Sequence, residues 1–285
     1  MSNTNVVRTA IASLMQTGQY IGTSVPKLPN STLNQKLDIH QDIELAAGDV
    51  PSVRYLAIGN GGHGFIVGAN GHVKWKAVHH KARHTALYNQ LPFVLRRLDE
   101  DLSPTERLRY RLRRIETHNG VQYAAYYLRV LDISTTDVLA ELRHVEDGVT
   151  TSTPWTPTLE DLNPMPPTLV AGEAVTTTGD YIASTAKIPF LMSADDVAEF
   201  VNAVKIIEGD DGYAVISEVA TVSGVDRSVV GNIGGANQAY TDVIYAQVTS
   251  FISTAWVMEY QTDGVALTID VGNVEALLDV SVAGI

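Results

Sequence analysis

The sequence contains no cysteine. That absence excludes a disulfide framework, a thiolate metal site and a cysteine nucleophile together. It fits a reducing compartment without requiring one, because a chain without thiols is indifferent to redox poise. Also missing is any apolar run approaching the roughly 20 residues of a bilayer-spanning helix. From Met1 to Gln16 the apolar positions are broken by Thr9, Ser13 and Gln16, so no signal peptide is expected there. The protein is expected in an aqueous compartment, with no membrane partner. Motifs of nucleophilic and phosphoryl chemistry are lacking too: there is no G-x-S-x-G elbow and no Walker sequence.

Cationic charge is scarce and unevenly placed. The net charge is −12, which argues against general nucleic-acid binding. Residues 74–114 nevertheless hold 11 Lys/Arg against 4 Asp/Glu, and residues 144–285 hold 3 against 20. Such asymmetry suits regions that meet complementary neighbours; its plainer alternative is an acidic, solubilising surface.

Local patterns favour an α+β chain of mainly antiparallel sheets and hairpins, β-sandwich-like, with a few helices. Val6, Ala10, Ile11 and Leu14 have helical spacing. Ser193 followed by Ala194-Asp195-Asp196 reads as a capped helix start, with Val197, Phe200, Val201 and Val204 on one face and Gly209 beyond its end. Phe65–Val67 and His72–Trp75 flank Gly68-Ala69-Asn70-Gly71 as a hairpin. Between Glu106 and Ser134, Leu108, Tyr110 and Leu112 alternate with Arg107, Arg109, Arg111 and Arg113, a strand pattern. Asn119-Gly120 supplies type I′ turn chemistry and residues 121–133 the returning strand. Tyr213–Val222, Val243–Tyr260 and Val265–Val271 are β-prone, with Thr262-Asp263-Gly264 as a turn between the last two, although 240–258 also permits a helix. Residues 150–168 hold five of the eleven prolines. They are expected to form a linker or extended arm between an N-terminal domain, 1–149, and an acidic C-terminal domain, 169–285.

Two motifs suggest chemistry. Gly59-Asn60-Gly61-Gly62-His63-Gly64 satisfies the dinucleotide-binding spacing, but a β-prone run follows where a helix is needed, and no acidic residue stands near twenty positions on. A glycine-rich turn with backbone in positive φ is the preferred reading. Five of the eight histidines, His63, His72, His79, His80 and His84, fall within one short segment. His79, His80 and His84 are candidate metal ligands for a metal-dependent hydrolase, yet no Asp or Glu occurs between Asp49 and Asp99 to complete such a site. A cationic contact surface is preferred, with no metal and no cofactor. The arginine strand suits carboxylates on the same or a neighbouring subunit. Arg107, Arg109, Arg111, Arg113 and Trp155 are therefore the expected interface residues, and replacing the four arginines by glutamate is expected to block assembly while sparing the fold. Asp195-Asp196 and Asp210-Asp211 are explained by a helix start and a turn.

Four segments, YLAIGNGGHG (55–64), LYNQLPFVLRRLDEDLSPTERLRYRLRR (87–114), ISEVATVSGVDR (216–227) and IDVGNVEALL (269–278), resemble virion structural proteins of contractile-tailed bacteriophages, the baseplate wedge family in particular. The resemblance covers about a quarter of the chain. It implies a non-enzymatic subunit of the virion, assembled in the host cytoplasm, that acts through contacts with other phage structural proteins as a homodimer or within a hetero-oligomeric wedge. Neck, tail and capsid-associated proteins are the alternative stations. A carbohydrate-binding module stacking sugars on Trp75 or Trp155 ranks lower, since the tryptophans are scattered.

Overall fold

The computed structural model of the chain describes residues 5–23, 25, 27–166 and 173–282. The first described element is a strand, β1 (Asn5–Arg8), not the helix expected from Val6. Thr9 is in extended conformation, and its hydroxyl caps α1 (Ala10–Ile21) by accepting the Ala12 N–H. A second helix, α2 (Leu33–Leu37), carries a capping box at Thr32 and Gln35. There follow β2 (Ser52–Gly59), β3 (His63–Val67), β4 (Val73–Ala77), β5 (Gln90–Leu91) and β6 (Val94–Arg97). One helical turn, α3 (Pro104–Arg107), precedes β7 (Tyr110–His118) and β8 (Val121–Val130). β9 (Val138–Glu146), β10 (Val149–Pro154), α4 (Leu159–Leu162) and β11 (Glu173–Ser193) lead into α5 (Ala194–Glu208). Three long strands complete the chain: β12 (Val215–Ile233), β13 (Ala236–Val257) and β14 (Gly264–Val282). The protein is thus α+β with mostly antiparallel sheets.

Two compact units result, one of Met1–Leu131 with Leu191–Val265 and the other of Asp132–Phe190 with Ala266–Ile285. The division expected at residues 150–168 does not coincide with them. Val149–Pro154 pairs with Glu141–Glu146 as β10, so the start of the supposed linker is sheet. Its Thr and Ser residues favour strand, and Pro154 closes an edge strand, where a missing N–H disturbs least. Residues 167 and 168 lie outside the described residues.

The first unit holds an eight-stranded sheet in the order β1-β13-β12-β2-β8-β6, with β5 beside β2 and β7 beside β8, and a separate β3-β4 hairpin. Its central strands are buried along continuous runs, as when both faces are covered. α1 and α2 pack on β13, and α5 packs on β6. The expected helical face of α5 is fully inside: Val197, Phe200, Val201 and Val204 are all buried, and Gly209 ends the helix in the left-handed region. Within segment 240–258, residues 240–257 are strand, as part of β13.

The second unit holds a four-stranded sheet in the order β10-β9-β11-β14. Thr262-Asp263-Gly264 therefore closes no hairpin, because β13 and β14 belong to different sheets. The long hairpin is β12–β13, turned at Gly234-Gly235 with both glycines at positive φ. Among the described residues no helix is long and apolar enough to cross a membrane.

Candidate functional site

The glycine motif and the histidine cluster, treated apart in the sequence, meet in one buried construction. β2 runs out at Gly59, and the turn that follows passes over β12 and against Tyr88-Asn89. A β-carbon on Gly61 would stand 2.6 Å from Tyr88 Cβ and 2.7 Å from Asn89 N; one on Gly62 would stand 2.5 Å from the Ser217 carbonyl oxygen. None of the motif's glycines has positive φ. The expectation of a left-handed turn is corrected: at Gly59, Gly61 and Gly62 a neighbouring backbone passes too close for a β-carbon. No helix follows, since His63–Val67 is β3.

Glu218 of β12 fills the space so made. Its Oε1 accepts the N–H groups of Gly61 (3.1 Å) and Asn89 (2.9 Å), and its Oε2 accepts that of Tyr88 (3.1 Å). His80 Nε2 lies 2.6 Å from the same Oε2, with both side chains 1% exposed. The imidazole is stacked between Tyr88 and Phe251, at centroid distances of 4.2 and 3.8 Å. His84 Nδ1 accepts the Lys81 N–H (3.3 Å) and lies 3.2 Å from His80 Nδ1. His80 thus meets Glu218 through Nε2 and His84 through Nδ1, and both of its ring nitrogens are engaged inside the protein. Burial first, and then the charge of His80, holds His84 below the ordinary imidazole value.

The expectation that these histidines lack a carboxylate is overturned, since the carboxylate arrives from β12. Both nitrogens of His80 are occupied by protein partners, Glu218 and His84. His79 Nδ1 is 3.1 Å from Ser253 Oγ. Among the described residues no group of three or more His, Asp or Glu is arranged to hold a metal ion.

The arginine hairpin forms around Asn119 and Gly120, both at positive φ. Arg107, Leu108 and Arg109, expected in the strand, stand outside it, because Ser103-Pro104-Thr105-Glu106 is a capping box that winds one helical turn first and β7 begins at Tyr110. Its arginines are largely spent inside the first unit. Arg107, Arg111 and Arg113 are buried. Arg107 Nη2 donates to the Leu102 carbonyl (2.7 Å). Arg111 grips Asp226 through Nε (2.6 Å) and Nη2 (3.0 Å), and Tyr55 donates to the same carboxylate (2.8 Å). Arg113 Nη2 reaches Asp101 at 2.7 Å, beside the hydroxyl of Tyr126. Arg109, about half exposed, donates to both oxygens of Asp196 at 2.9 Å, and Arg129 and Tyr110 converge there. Burial pushes the Tyr110 hydroxyl up to about 12.

Carboxylate partners were expected on the same or a neighbouring subunit, and the same chain supplies them. Glutamate at the four arginine positions would bury like charges, so the expectation that the fold survives such a change is corrected. Leu112, fully buried between Arg111 and Arg113, has φ +57, and its N–H donates to the buried carboxylate of Asp242. That carboxylate also accepts the N–H groups of Arg113 (3.1 Å) and Val243 (2.8 Å). No sequence signal marks Asp242, Glu218 or Asp226 as anchors, since each lies within an ordinary β-prone run. Trp155 is half-buried in the second unit, its N–H on the Ala140 carbonyl (2.9 Å).

Two surfaces are left bare. Cross-strand pairs in the β3-β4 hairpin place Phe65 opposite Trp75 and Val67 opposite Val73, all exposed, with Phe65 at 69% and Val67 at 71%. Ile66, Lys74 and Lys76 occupy the reverse face. In the second unit, Val138 and Val149 of the β9-β10 pair are 75% and 64% exposed, and Val274 and Leu278 of β14 are 62% and 65% exposed.

No curated protein and no solved structure matches the chain. The model of one family, described as a family of unknown function (DUF7208), matches residues 1–283. The chain, with its histidine–glutamate core, its internal arginine ladder and its two bare surfaces, belongs to the DUF7208 family.

Proposed function

We propose that this chain is a non-enzymatic structural subunit that assembles with other proteins of a contractile phage tail, in the baseplate wedge. The observation that carries the reading is the uncovered sheet of the second unit. A β-sheet is stabilised by burying an apolar face against another layer. Here, among the described residues, only Ala183, Thr185, Ile188, Phe190 and Ile269 of that unit are buried. Val138, Leu139, Val145, Val149, Val274 and Leu278 stay exposed, the state of a surface that awaits a partner. The two places with the look of chemistry are internally saturated: His80 by Glu218 and His84, the arginines by Asp101, Asp196 and Asp226. Four segments resembling wedge proteins supply the location, a virion part put together in the host cytoplasm.

Purified phage particles, analysed by quantitative mass spectrometry, test the reading. The chain is expected at a fixed copy number in tails and in baseplates released from them. Its absence from particles while it is abundant in the producing cells overturns the proposal.

A further inference from the structure

We propose that the β3-β4 hairpin of one copy docks on the four-stranded sheet of a second copy of this chain. This deepens the assembly reading and rests on it. A two-stranded hairpin standing alone is marginal in water, and this one presents Phe65, Val67, Val73 and Trp75 to solvent along a single face. His63 at its base stacks on Trp75 at 6.0 Å and 17°, and Phe65 meets the same imidazole edge-on at 5.9 Å. The aromatic face is therefore ordered before any partner arrives, which lowers the entropic cost of binding.

Charge selects the occupant. The hairpin and the segment after it carry Lys74, Lys76, Lys81 and Arg83 with no Asp or Glu between Asp49 and Asp99. The second unit holds 12 Asp/Glu against 2 Lys/Arg, so it carries most of the chain's net −12. Hairpin against hairpin would set like charges together. Hairpin against the sheet of another copy sets the lysines near Glu146 and Asp147, at the turn between β9 and β10, and covers Val149, the cross-strand partner of Glu146, with aromatic side chains. Lysines on the reverse face remain within about one Debye length of those carboxylates across a single sheet's thickness. The contact joins unlike surfaces, so repetition gives a ring or a filament, not an isolated pair.

Sedimentation velocity of the full chain over a range of concentrations, at about 50 mM and about 500 mM NaCl, tests the proposal. Self-association is expected for the wild type, weakened at least about tenfold by the higher salt. The Phe65→Ser/Trp75→Ser variant and the Lys74→Glu/Lys76→Glu variant are each expected to weaken it about tenfold or more. Both sets of side chains are solvent-exposed, and unchanged circular dichroism and melting verify the fold. A third variant, Val149→Ser, alters the receiving surface and is expected to give the same loss. A wild type that is monomeric throughout, or association indifferent to all three variants, overturns the proposal. If the chain is monomeric alone yet present in purified tails, the self-contact is wrong and the assembly reading stands. If it associates through the hairpin but is absent from tails, the self-contact stands and the phage reading fails.

Discussion

His80 and Glu218, 138 positions apart in the sequence, lie 2.6 Å from each other, with both side chains 1% exposed. Around this one pair the glycine turn, the loop at Tyr88-Asn89 and β12 are fastened together. The carboxylate also accepts three backbone N–H groups, those of Gly61, Tyr88 and Asn89.

Glu218→Ala is expected to destabilise the protein by about 3–5 kcal/mol, because it leaves the buried His80 Nε2 without its partner and orphans those N–H groups. Glu218→Gln keeps an oxygen acceptor and should cost less. Urea unfolding measures both; a Glu218→Ala change below about 0.5 kcal/mol would remove the pair from any structural role.

Gly62→Ala would force a β-carbon to 2.5 Å from the Ser217 carbonyl oxygen, whereas at Gly64 the nearest atom, Val78 Cγ2, would be 4.0 Å away. Overpacking at the first position is expected to cost about 1–3 kcal/mol, and the second substitution should be nearly silent. Equal melting shifts for the two variants would contradict the close-approach explanation of the motif.

Removal of Arg111 or Arg113 leaves a buried or half-buried carboxylate without its partner and is expected to cost about 3–5 kcal/mol. Arg109→Ala, at a half-exposed pair, should cost about 1 kcal/mol or less. The combined replacement of Arg107, Arg109, Arg111 and Arg113 by glutamate is expected to prevent folding. A cooperative melt at the wild-type temperature for that variant would show that the ladder contributes nothing.

Acid should unfold the protein in two stages. Burial first, then the charge of His80, holds His84 below its ordinary value of 6.5. The folded state thus binds this proton less readily than the unfolded chain, and the His84 contribution, full above 6.5, is lost as pH falls through the lowered value. For Asp226, burial pushes upward, but the bidentate bond and charge of Arg111 and the Tyr55 hydroxyl outweigh it. The carboxyl is held below its ordinary 3.8. For Asp196, burial likewise pushes upward and is outweighed by Ser193, Arg129 and Arg109. These contributions are full above 3.8 and lost as pH falls further below it. Unfolding free energy measured from pH 8 to pH 2 should fall first below about 6.5 and again below about 3.8, and His84→Gln should flatten the first step alone.

Where structure is decided by near neighbours, the sequence was legible. Ser193 three residues before Asp196, with apolar residues at helical spacing, specified α5 because caps and amphipathic faces are local properties. Asn119-Gly120 specified its hairpin because few residue pairs accept two consecutive positive φ values. Alternating and β-branched runs gave the antiparallel α+β class. At the start of the chain, local preference competes with distant pairing. Val6 has helical spacing to Ala10, but the N–H and C=O groups of Asn5–Arg8 are drawn into pairing with Ser250–Ser253 of β13.

What the sequence determined by itself, then, was the antiparallel α+β class, helix α5, the hairpin turned at Asn119-Gly120, the charge asymmetry and the absence of thiol, elbow and Walker motifs. Only the tertiary structure decided which carboxylate meets His80, why Gly61 and Gly62 are glycines, which acids take up the arginines, and that β14 leaves its neighbour β13 to join β11 in another sheet. The physical reason is the range of the interactions. Caps, turns and periodicity act over a few residues, whereas a buried ion pair or a β-ladder is defined by proximity in space, and residues such as Glu218, Asp226 and Asp242 carry no local mark of the partner that folding brings to them.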